Sequence, residues 1–182
     1  MAGPRLRRLA ADWEAIRAAF SGHPHVHVEP IGPLPPEVYR VRFNVPGLSL
    51  NGDNPVRIDQ HVCEIRLPLG YPREQPYCVP LTPLFHPNVA EHYCIADYWF
   101  AGQSLVDVIA KIGEMIQYRI YNTKSPLNAT AAYWAEQHPQ LFPIGHTTLT
   151  LAEPEISLKP RAAVAAADPA DALRVAIKLA KE

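Results

Sequence analysis

Long apolar runs and an excess of either charge are both missing from this 182-residue chain. No apolar run approaches the roughly 20 residues that cross a bilayer, and charges interrupt the apolar residues near the N-terminus, so neither a membrane span nor a signal peptide is expected. Lysine and arginine number 17 against 18 aspartates and glutamates, a net charge of -1. Such a chain has no overall field that attracts nucleic acid or an anionic membrane. These absences predict a cytoplasmic protein with specific partners, with no nucleic acid and no membrane among them.

Cysteine is scarce as well, with three residues at positions 63, 78 and 94. An odd number without paired spacing fits a reducing compartment, so no disulfide is expected. No Cys-x-x-Cys pair is present, and we expect neither a metal nor a cofactor. The chain is 48% hydrophobic and 19% charged, which supplies enough apolar material for a core without covalent cross-links. Together these numbers predict one globular domain with an appendage.

Proline is abundant, and the 20 prolines are spread along the chain, where they mark the ends of secondary-structure elements. The first element is predicted to be an amphipathic helix, because its apolar residues recur three and four positions apart. Those residues are Leu6, Leu9, Trp13, Ile16 and Phe20.

Four segments that alternate apolar and polar residues follow and predict a sheet. The alternation places Cys63 on the apolar face, so we interpret it as a buried structural cysteine, and we interpret Cys78 in the same way. Because the segments come in series, we expect a four-stranded antiparallel meander, with the proline-interrupted last strand at an edge. The segments are HVHVEPIG, VYRVRFNVPG, HVCEIRLPLGYP and YCVPLTPLF.

Helical periodicity returns after Trp99. Ser104 with Asp107 resembles a capping box, and apolar residues at helical spacing then predict a central helix that reaches Tyr121. A further helix is predicted to begin near Asn128 and to stop at Pro139. These elements predict an α+β domain over residues 1–144, whose helices cover the sheet. Residues 145–182 are predicted to be a C-terminal extension with a linker and an amphipathic helix, which packs on its own domain or binds another subunit.

The stretch LTPLFHPNVAEHYCIADYW, from Leu81 to Trp99, does not fit a buried strand. Polar groups that leave water must find hydrogen-bond partners, so this cluster indicates a purpose beyond packing. A thiolate attacks acyl groups, and a thioester can pass its acyl group to an amine, so an exposed Cys94 can act as an acyl carrier. We therefore predict a catalytic cysteine loop.

Two further residues of this stretch are candidate catalytic residues, each with an alternative. Asn88, on a proline-fixed turn, either donates its amide to a tetrahedral oxyanion or holds the loop. His86 either makes a structural hydrogen bond, which we prefer, or reaches the nucleophile as a general base. For Trp99 we prefer packing to substrate contact. His92 either lowers the thiol pKa or is part of a solvated loop, and we prefer the second.

The order and spacing of these motifs resemble the ubiquitin-conjugating enzyme family over roughly residues 5–142. No single motif is decisive. The YN and PLN motifs at the helix junction resemble those of bacterial members of the family. Such members are found in gene clusters that encode a ubiquitin-like protein, an activating enzyme and a metal-dependent deconjugating peptidase. The motifs that carry the resemblance are YPREQP before the last strand, His86-Pro87-Asn88, Cys94 followed by Ile95, Trp99, and SPLN before the later helix.

The resemblance implies a ubiquitin-conjugating-enzyme-like fold and an enzyme that carries a ubiquitin-like modifier as a thioester on Cys94. It implies four protein partners: the modifier, an activating enzyme, a target protein and a deconjugating peptidase, in a bacterial conjugation or antiphage defence system. In the family a basic first helix helps to dock the activating enzyme, a role that falls here on Arg5, Arg7 and Arg8. The alternative is that these arginines form an ordinary solvated helix face.

The chain departs from the family near the cysteine. The asparagine and the cysteine are joined by a slightly shorter loop, Ala90 stands where a tyrosine is frequent, and Ser125 where an aspartate is frequent. Because the missing groups are thought to orient and deprotonate an incoming lysine, the resemblance supports thioester formation more strongly than direct transfer to lysine. Tyr93, Asp97 and Asn128 are candidate substitutes.

Two other classes of function remain open. The first is a noncatalytic module that binds a ubiquitin-like protein on the same fold, although such variants characteristically lack the cysteine that is present here as Cys94. The second is an unrelated thiol hydrolase, or a zinc site built from His86, His92 and Cys94. A zinc site lacks a fourth ligand nearby, and the spacing identifies no oriented Cys-His-Asn set.

Overall fold

The computed structural model of the protein describes residues 3–145, 147 and 149, and the side chain of Asp97 lies outside that description. The chain begins with helix α1 (Pro4–Phe20). Pro4 occupies the first turn, where an N–H group has no partner within the helix in any case. Leu9 and Ile16 are buried on the inner face of α1. The predicted N-terminal amphipathic helix is confirmed.

The described chain then forms six strands, and four of them make one antiparallel sheet. The strands are β1 (Val26–Ile31), β2 (Val38–Phe43), β3 (Gly47–Asn51), β4 (Asn54–Ile58), β5 (His61–Arg66) and β6 (Tyr77–Pro80). Their order in the sheet is β1-β2-β5-β6. Tyr39 and Val41 of β2 are fully buried, and opposite them lie Ile65 and Cys63 of β5. The predicted α+β class and four-stranded antiparallel sheet are confirmed.

The hairpin of β3 and β4 interrupts the predicted meander between its second and third strands and is a correction to it. The two-residue turn is Gly52-Asp53, a local sequence signal for a hairpin, and Gly52 has a φ of 61°. The two strands lack clear apolar alternation because burial is confined to Gly47 and Leu48 at one end. A β-carbon at Gly47 would collide with the imidazole of His61, so only glycine fits there.

Helix α2 (Leu105–Ile116) shares one apolar core with the sheet and α1. Ser104 caps it by accepting a hydrogen bond from the backbone N–H of Asp107 at 3.1 Å, as the capping motif predicts. The helix ends well before the predicted Tyr121, because the chain turns at Tyr118, whose φ is 57°. The Tyr118 hydroxyl donates to the carbonyl of Phe85 at 2.6 Å and so fixes this turn. Ile120, which continues the apolar spacing beyond Ile116, therefore lies outside the helix.

Helix α3 (Ala129–Gln137) begins after Asn128, which accepts a hydrogen bond from the backbone N–H of Ala131 at 3.0 Å. A 3₁₀ turn (Pro139–Leu141) follows the helix, so both predicted ends agree with the structure. A second 3₁₀ turn, Ala96–Tyr98, precedes α2. Within the described residues, none of the helices combines the length and apolar character needed to cross a bilayer.

The predicted extension, residues 145–182, is represented in the described structure by Gly145, Thr147 and Leu149. Leu149 is fully buried in the main core, where its side chain fills the space that a β-carbon on Gly113 would need. The core therefore extends past the predicted domain boundary at residue 144. The predicted C-terminal amphipathic helix lies outside the described residues.

Candidate active site

The three thiols have different surroundings. Cys63 and Cys78 lie on β5 and β6 and are buried, as their strand positions predict. Burial raises the pKa of both thiols, that of Cys78 to about 12, so neither forms a thiolate at neutral pH. Cys94, in contrast, lies in a loop and is half-buried. It is the one cysteine of the described residues that is accessible to another molecule.

The backbone around Cys94 is held at several points. The N–H of Cys94 donates to the carbonyl of Asn88 at 2.9 Å. Between them, Val89 and Tyr93 form an isolated antiparallel bridge, and both side chains are buried. The N–H of Tyr93 also donates to the carbonyl of Cys78 at 2.9 Å, which ties the loop to the last strand of the sheet. The peptide unit of Cys94 is therefore fixed, although the residue is only half-buried.

Cys94 lines a surface pocket of about 130 Å³. The pocket wall brings together the cysteine loop and the segment that follows α2, and its polar groups are amides, a hydroxyl and a phenol. None of the described residues that line it carries a carboxylate. Besides Cys94, the main lining residues are Asn88, Tyr98, Ile120, Asn122 and Ser125.

Both ring nitrogens of His86 are engaged inside the protein. Nδ1 lies 3.1 Å from the backbone N–H of Asn88, which donates to it, and Nε2 lies 3.1 Å from the carbonyl of Ile120. This pair of contacts assigns a neutral ring with the proton on Nε2. Burial lowers the pKa of His86 to about 4, so the ring stays neutral at physiological pH. These contacts favour the structural alternative over a general base.

The side chain of Asn88 bridges to the segment after α2. Its Oδ1 accepts from the N–H of Asn122 at 2.6 Å, and its Nδ2 donates to the carbonyl of Asn122 at 2.9 Å. A longer contact of 3.5 Å joins Nδ2 to the carbonyl of Ser125. Because Nδ2 already donates to carbonyl oxygens, the geometry favours loop-holding over an oxyanion donor. We call His86, Asn88 and Asn122 the loop cluster.

The residues considered as substitutes for the missing family groups have other contacts. Tyr93 is buried in the core, and Asn128 caps α3. The side chain of Asp97 lies outside the described part of the chain. The ring of His92 stacks on Tyr77 of β6 at 5.7 Å between ring centroids. Among the family departures, only Ser125 is a pocket residue.

Arg8, a predicted docking residue, makes its contacts inside the domain. Its Nε lies 2.8 Å from Asp12 Oδ2, and Asp12 is 5% exposed. The Tyr71 hydroxyl donates to the same Asp12 oxygen at 2.5 Å, and the guanidinium lies over the Tyr71 ring. The two terminal nitrogens of Arg8 donate to the carbonyls of Ala101 and Gln103. We call Arg8, Asp12 and Tyr71 the N-terminal cluster, which ties α1 to the loops before β6 and α2.

The other two predicted docking arginines differ from Arg8. Arg5 forms an ion pair with Glu37 at 2.6 Å and donates to the carbonyl of Pro68 at 3.2 Å. Arg7 is exposed. Trp99 packs against the Tyr71 ring and donates from Nε1 to the carbonyl of Pro72 at 3.2 Å, in line with the preferred packing role.

Four pocket residues are not assigned to the site by the sequence: Tyr98, Met115, Ile120 and Asn122. Ile120 continues the apolar period of α2 and was assigned to that helix, but it lies beyond the Tyr118 turn and lines the pocket instead. The pair Tyr121-Asn122 was noticed as a motif, without a role for Asn122. Its contact with Asn88 spans 34 positions, so no local pattern could have indicated it.

The possible zinc ligands are not brought together. Within residues 3–145, 147 and 149, no three His, Cys, Asp or Glu side chains form a group that could hold a metal ion. Comparison of the chain with models of known protein families and with curated proteins found no match.

Proposed function

We propose that this chain is a ubiquitin-conjugating-like enzyme that carries a ubiquitin-like modifier as a thioester on Cys94. The observation that carries the proposal is the contrast between the half-buried, pocket-lining Cys94 on a fixed loop and the two buried cysteines of the sheet. A carrier thiol must reach the C-terminus of another protein, which Cys94 can do and the strand cysteines cannot. The sequence resemblance supports the same assignment and the corresponding fold.

The proposed reaction is acyl transfer between thiols. The Cys94 thiolate attacks the carbonyl carbon of a modifier thioester held by an activating enzyme, the new C–S bond forms, and the activating enzyme's sulfur leaves as a thiolate. A target amine then attacks the Cys94 thioester, an amide forms, and the Cys94 thiolate leaves while the amine gives up its proton. Neither step needs a metal or a redox partner.

A second depression adjoins the thiol pocket and shares Tyr98 and Ile120 with it. Its volume is about 390 Å³, and it runs beside α2, with Asp107, Lys111 and Glu114 among its lining residues. An extended peptide presents alternating carbonyl and N–H groups to such a mixed polar wall. In our proposal this groove receives the C-terminal segment of the modifier, whose last carbonyl is bound to Cys94.

The pocket supports carriage of the acyl group more strongly than activation of the acceptor. Tyr93 and Asn128 are used elsewhere, and the described lining residues supply no carboxylate base. The acceptor amine must then lose its proton to solvent, so transfer to lysine should accelerate with pH toward the lysine pKa of about 10.4. The proposed setting is a cytoplasmic bacterial conjugation pathway, such as antiphage defence, in which a peptidase reverses conjugation.

The test is charging by an activating enzyme and ubiquitin-like protein encoded near this chain. With ATP, the chain should gain one modifier in a bond that dithiothreitol breaks, and Cys94→Ala should abolish the adduct. Cys63→Ala and Cys78→Ala are the matched controls, which should charge normally when folded. An adduct that persists in Cys94→Ala would overturn the assignment. Modifier binding without any adduct would instead identify a noncatalytic binding module.

A further inference from the structure

Lysine is nearly absent from the described part of the chain. Residues 3–145 contain ten arginines but only two lysines, Lys111 and Lys124. The distinction matters beside a thioester, because a guanidinium stays protonated in proteins, whereas a lysine amine can deprotonate and attack an acyl carbon. The arginines of the described residues therefore carry positive charge without offering an amine that could accept an acyl group.

Both of these lysines lie beside the Cys94 pocket. Lys124 falls between Asn122 and Ser125, which line the pocket together with Cys94. The ammonium of Lys111 lies 3.7 Å from the centroid of the Tyr98 ring, on the α2 side of that pocket-lining residue. Both lysines of the described residues thus neighbour residues that line the Cys94 pocket.

The two lysines differ in their freedom to reach an acyl group on Cys94. Lys111 is partly buried, and its ammonium is held over the Tyr98 ring. Burial lowers the pKa of this amine, while the ring contact favours its charged form and restrains its movement. Lys124 is exposed, and among the described residues no ion pair or hydrogen bond holds its Nζ, while its backbone N–H donates to Asn122 Oδ1 at 2.9 Å. Its flexible four-carbon stem therefore starts from an anchored backbone on the pocket rim.

The Lys124 segment and the thiol also belong to one hydrogen-bonded unit. Asn88 accepts from the N–H of Cys94 through its carbonyl and binds the backbone of Asn122 and Ser125 through its side chain. The separation between the Cys94 backbone and the Lys124 backbone is therefore fixed, and only the two side chains need to move. Such positioning raises the effective concentration of an amine far above that of one in solution.

We propose that Lys124 is a self-modification site, which accepts the acyl group from the Cys94 thioester of the same chain. The neutral Nζ attacks the thioester carbonyl carbon, a C–N amide bond forms, and the C–S bond breaks. The sulfur leaves as the Cys94 thiolate, and the proton lost by nitrogen goes to the sulfur or to solvent. This inference deepens the proposed function, on which its biological relevance rests, although the chemistry needs only an acylated Cys94.

The test uses a synthetic peptide that ends in Gly-Gly and carries a C-terminal mercaptoethanesulfonate thioester. Exchange with the full-length chain acylates Cys94 and releases mercaptoethanesulfonate, without an activating enzyme. An adduct that resists dithiothreitol should then accumulate and map to Lys124 by mass spectrometry. Lys124→Arg should slow its formation by at least about tenfold. The control Arg57→Lys, which adds a lysine at an exposed position of β4, should leave the rate unchanged. Cys94→Ala should remove the adduct.

Three outcomes separate this inference from the proposed function. Equal amide formation in the wild-type chain and in Lys124→Arg, or mapping to other lysines, overturns the Lys124 assignment while the proposed function stands. A stable Cys94 thioester with no amide at any pH up to 9 also overturns it. In urea, the acyl group should spread over the five lysines of the chain, and if the folded protein gives the same spread, positioning by the fold is refuted. Failure of ATP-dependent charging, in contrast, bears on the proposed function alone.

Discussion

The N-terminal cluster and the loop cluster both bury polar groups, but they use different chemistry. The N-terminal cluster contains a carboxylate and a guanidinium, and Asp12 receives both the Arg8 and the Tyr71 hydrogen bonds. The loop cluster joins the His86 imidazole and the Asn88 amide to the backbone of Asn122, and burial keeps the histidine neutral. One cluster is held by paired charges and the other by neutral hydrogen bonds alone.

The two clusters should therefore differ in how much stability is lost when one of their partners is removed. Removal of one partner of a buried ion pair strongly destabilises the protein, because the other partner is left as an uncompensated charge. Removal of a neutral partner costs only the hydrogen bonds that are left unmade. The N-terminal cluster therefore secures the packing of α1, far along the chain from Cys94. The loop cluster fixes the pocket around the Cys94 thiol without contributing a permanent charge of its own.

The largest expected effect comes from removing the shared carboxylate. Asp12→Ala should lower the free energy of unfolding by about 3–5 kcal/mol, because Arg8 is left without its charged partner and the Tyr71 hydroxyl without its acceptor. Urea denaturation measures the change. The control is Glu14→Ala, whose exposed carboxylate on the same helix should matter by less than about 0.5 kcal/mol. A cost below about 1 kcal/mol for Asp12→Ala would contradict the ionic description.

Acid should weaken the loop cluster through His86. Its pKa is about 4 in the folded state against 6.5 for a free histidine, so below pH 6.5 the unfolded chain binds the proton first. Stability should be independent of this group above pH 6.5 and fall by up to roughly 3 kcal/mol as the pH drops to 4. His61, whose pKa is also lowered to about 4 by burial, adds a fall of the same sign.

The variant that isolates this effect is His86→Gln, compared with the wild-type chain by urea denaturation at several pH values. It should remove about half of the combined fall between pH 6.5 and 4, since His61 still titrates. Asn54→Gln, at an exposed and non-titrating position of β4, is the control and should keep the wild-type slope. An unchanged slope in His86→Gln would show that the loop cluster is not the acid-sensitive region.

Asn88→Ala tests whether the neutral cluster is structural. It should cost about 2 kcal/mol of stability, because the backbone N–H and carbonyl of Asn122 lose their partners. A thermal melt and a single-turnover discharge assay on the folded protein measure the two consequences together, with the exposed Asn54→Ala as control. If discharge instead slows about a hundredfold with unchanged melting, Asn88 acts as the oxyanion donor.

The smallest expected effect is at the edge of the loop cluster. Asn128 caps α3, and its backbone N–H donates to the carbonyl of Pro87 at 2.9 Å. Asn128→Ala removes only the side-chain cap and should cost about 1 kcal/mol, whereas Asn128→Asp should retain it. Chemical denaturation distinguishes the two. If Asn128→Ala instead slows transfer of the acyl group from the Cys94 thioester without loss of stability, the side chain acts in catalysis.

Local patterns predicted the elements better than the contacts between them. Helix α1, the four sheet strands and the Asn128 cap follow from periodicity and from short-range capping, which the sequence displays directly. The hairpin that turns at Gly52-Asp53 had a visible turn signal, but its strands lie outside the main sheet and lack the alternation that burial imposes. The early end of α2 depends on the Tyr118 hydrogen bond to a distant carbonyl.

The candidate site shows the same contrast between local patterns, which the sequence displays, and long-range contacts, which it does not. Cys94 was identifiable because a polar loop with one cysteine is unusual after an apolar strand. Arg8 could not be assigned from its helix alone, because its terminal nitrogens bind the carbonyls of Ala101 and Gln103, more than 90 positions away. The alternatives for His86 and Asn88 likewise depend on partners 34 positions along the chain. Residue chemistry predicted what these groups could do, and only the fold shows which neighbours they have.

The hydrogen bond from the Cys94 amide to Asn88 also has a mechanical consequence. A modifier bonded to the sulfur would pull on a loop that the hydrogen bond from the Tyr93 N–H to the Cys78 carbonyl joins to the last strand of the sheet. The flexible part of the linkage between the two proteins would then consist of the rotatable bonds of the Cys94 side chain and of the modifier's C-terminal tail. Tail length and stiffness, more than motion of the loop, would determine the radius within which an acceptor can be reached.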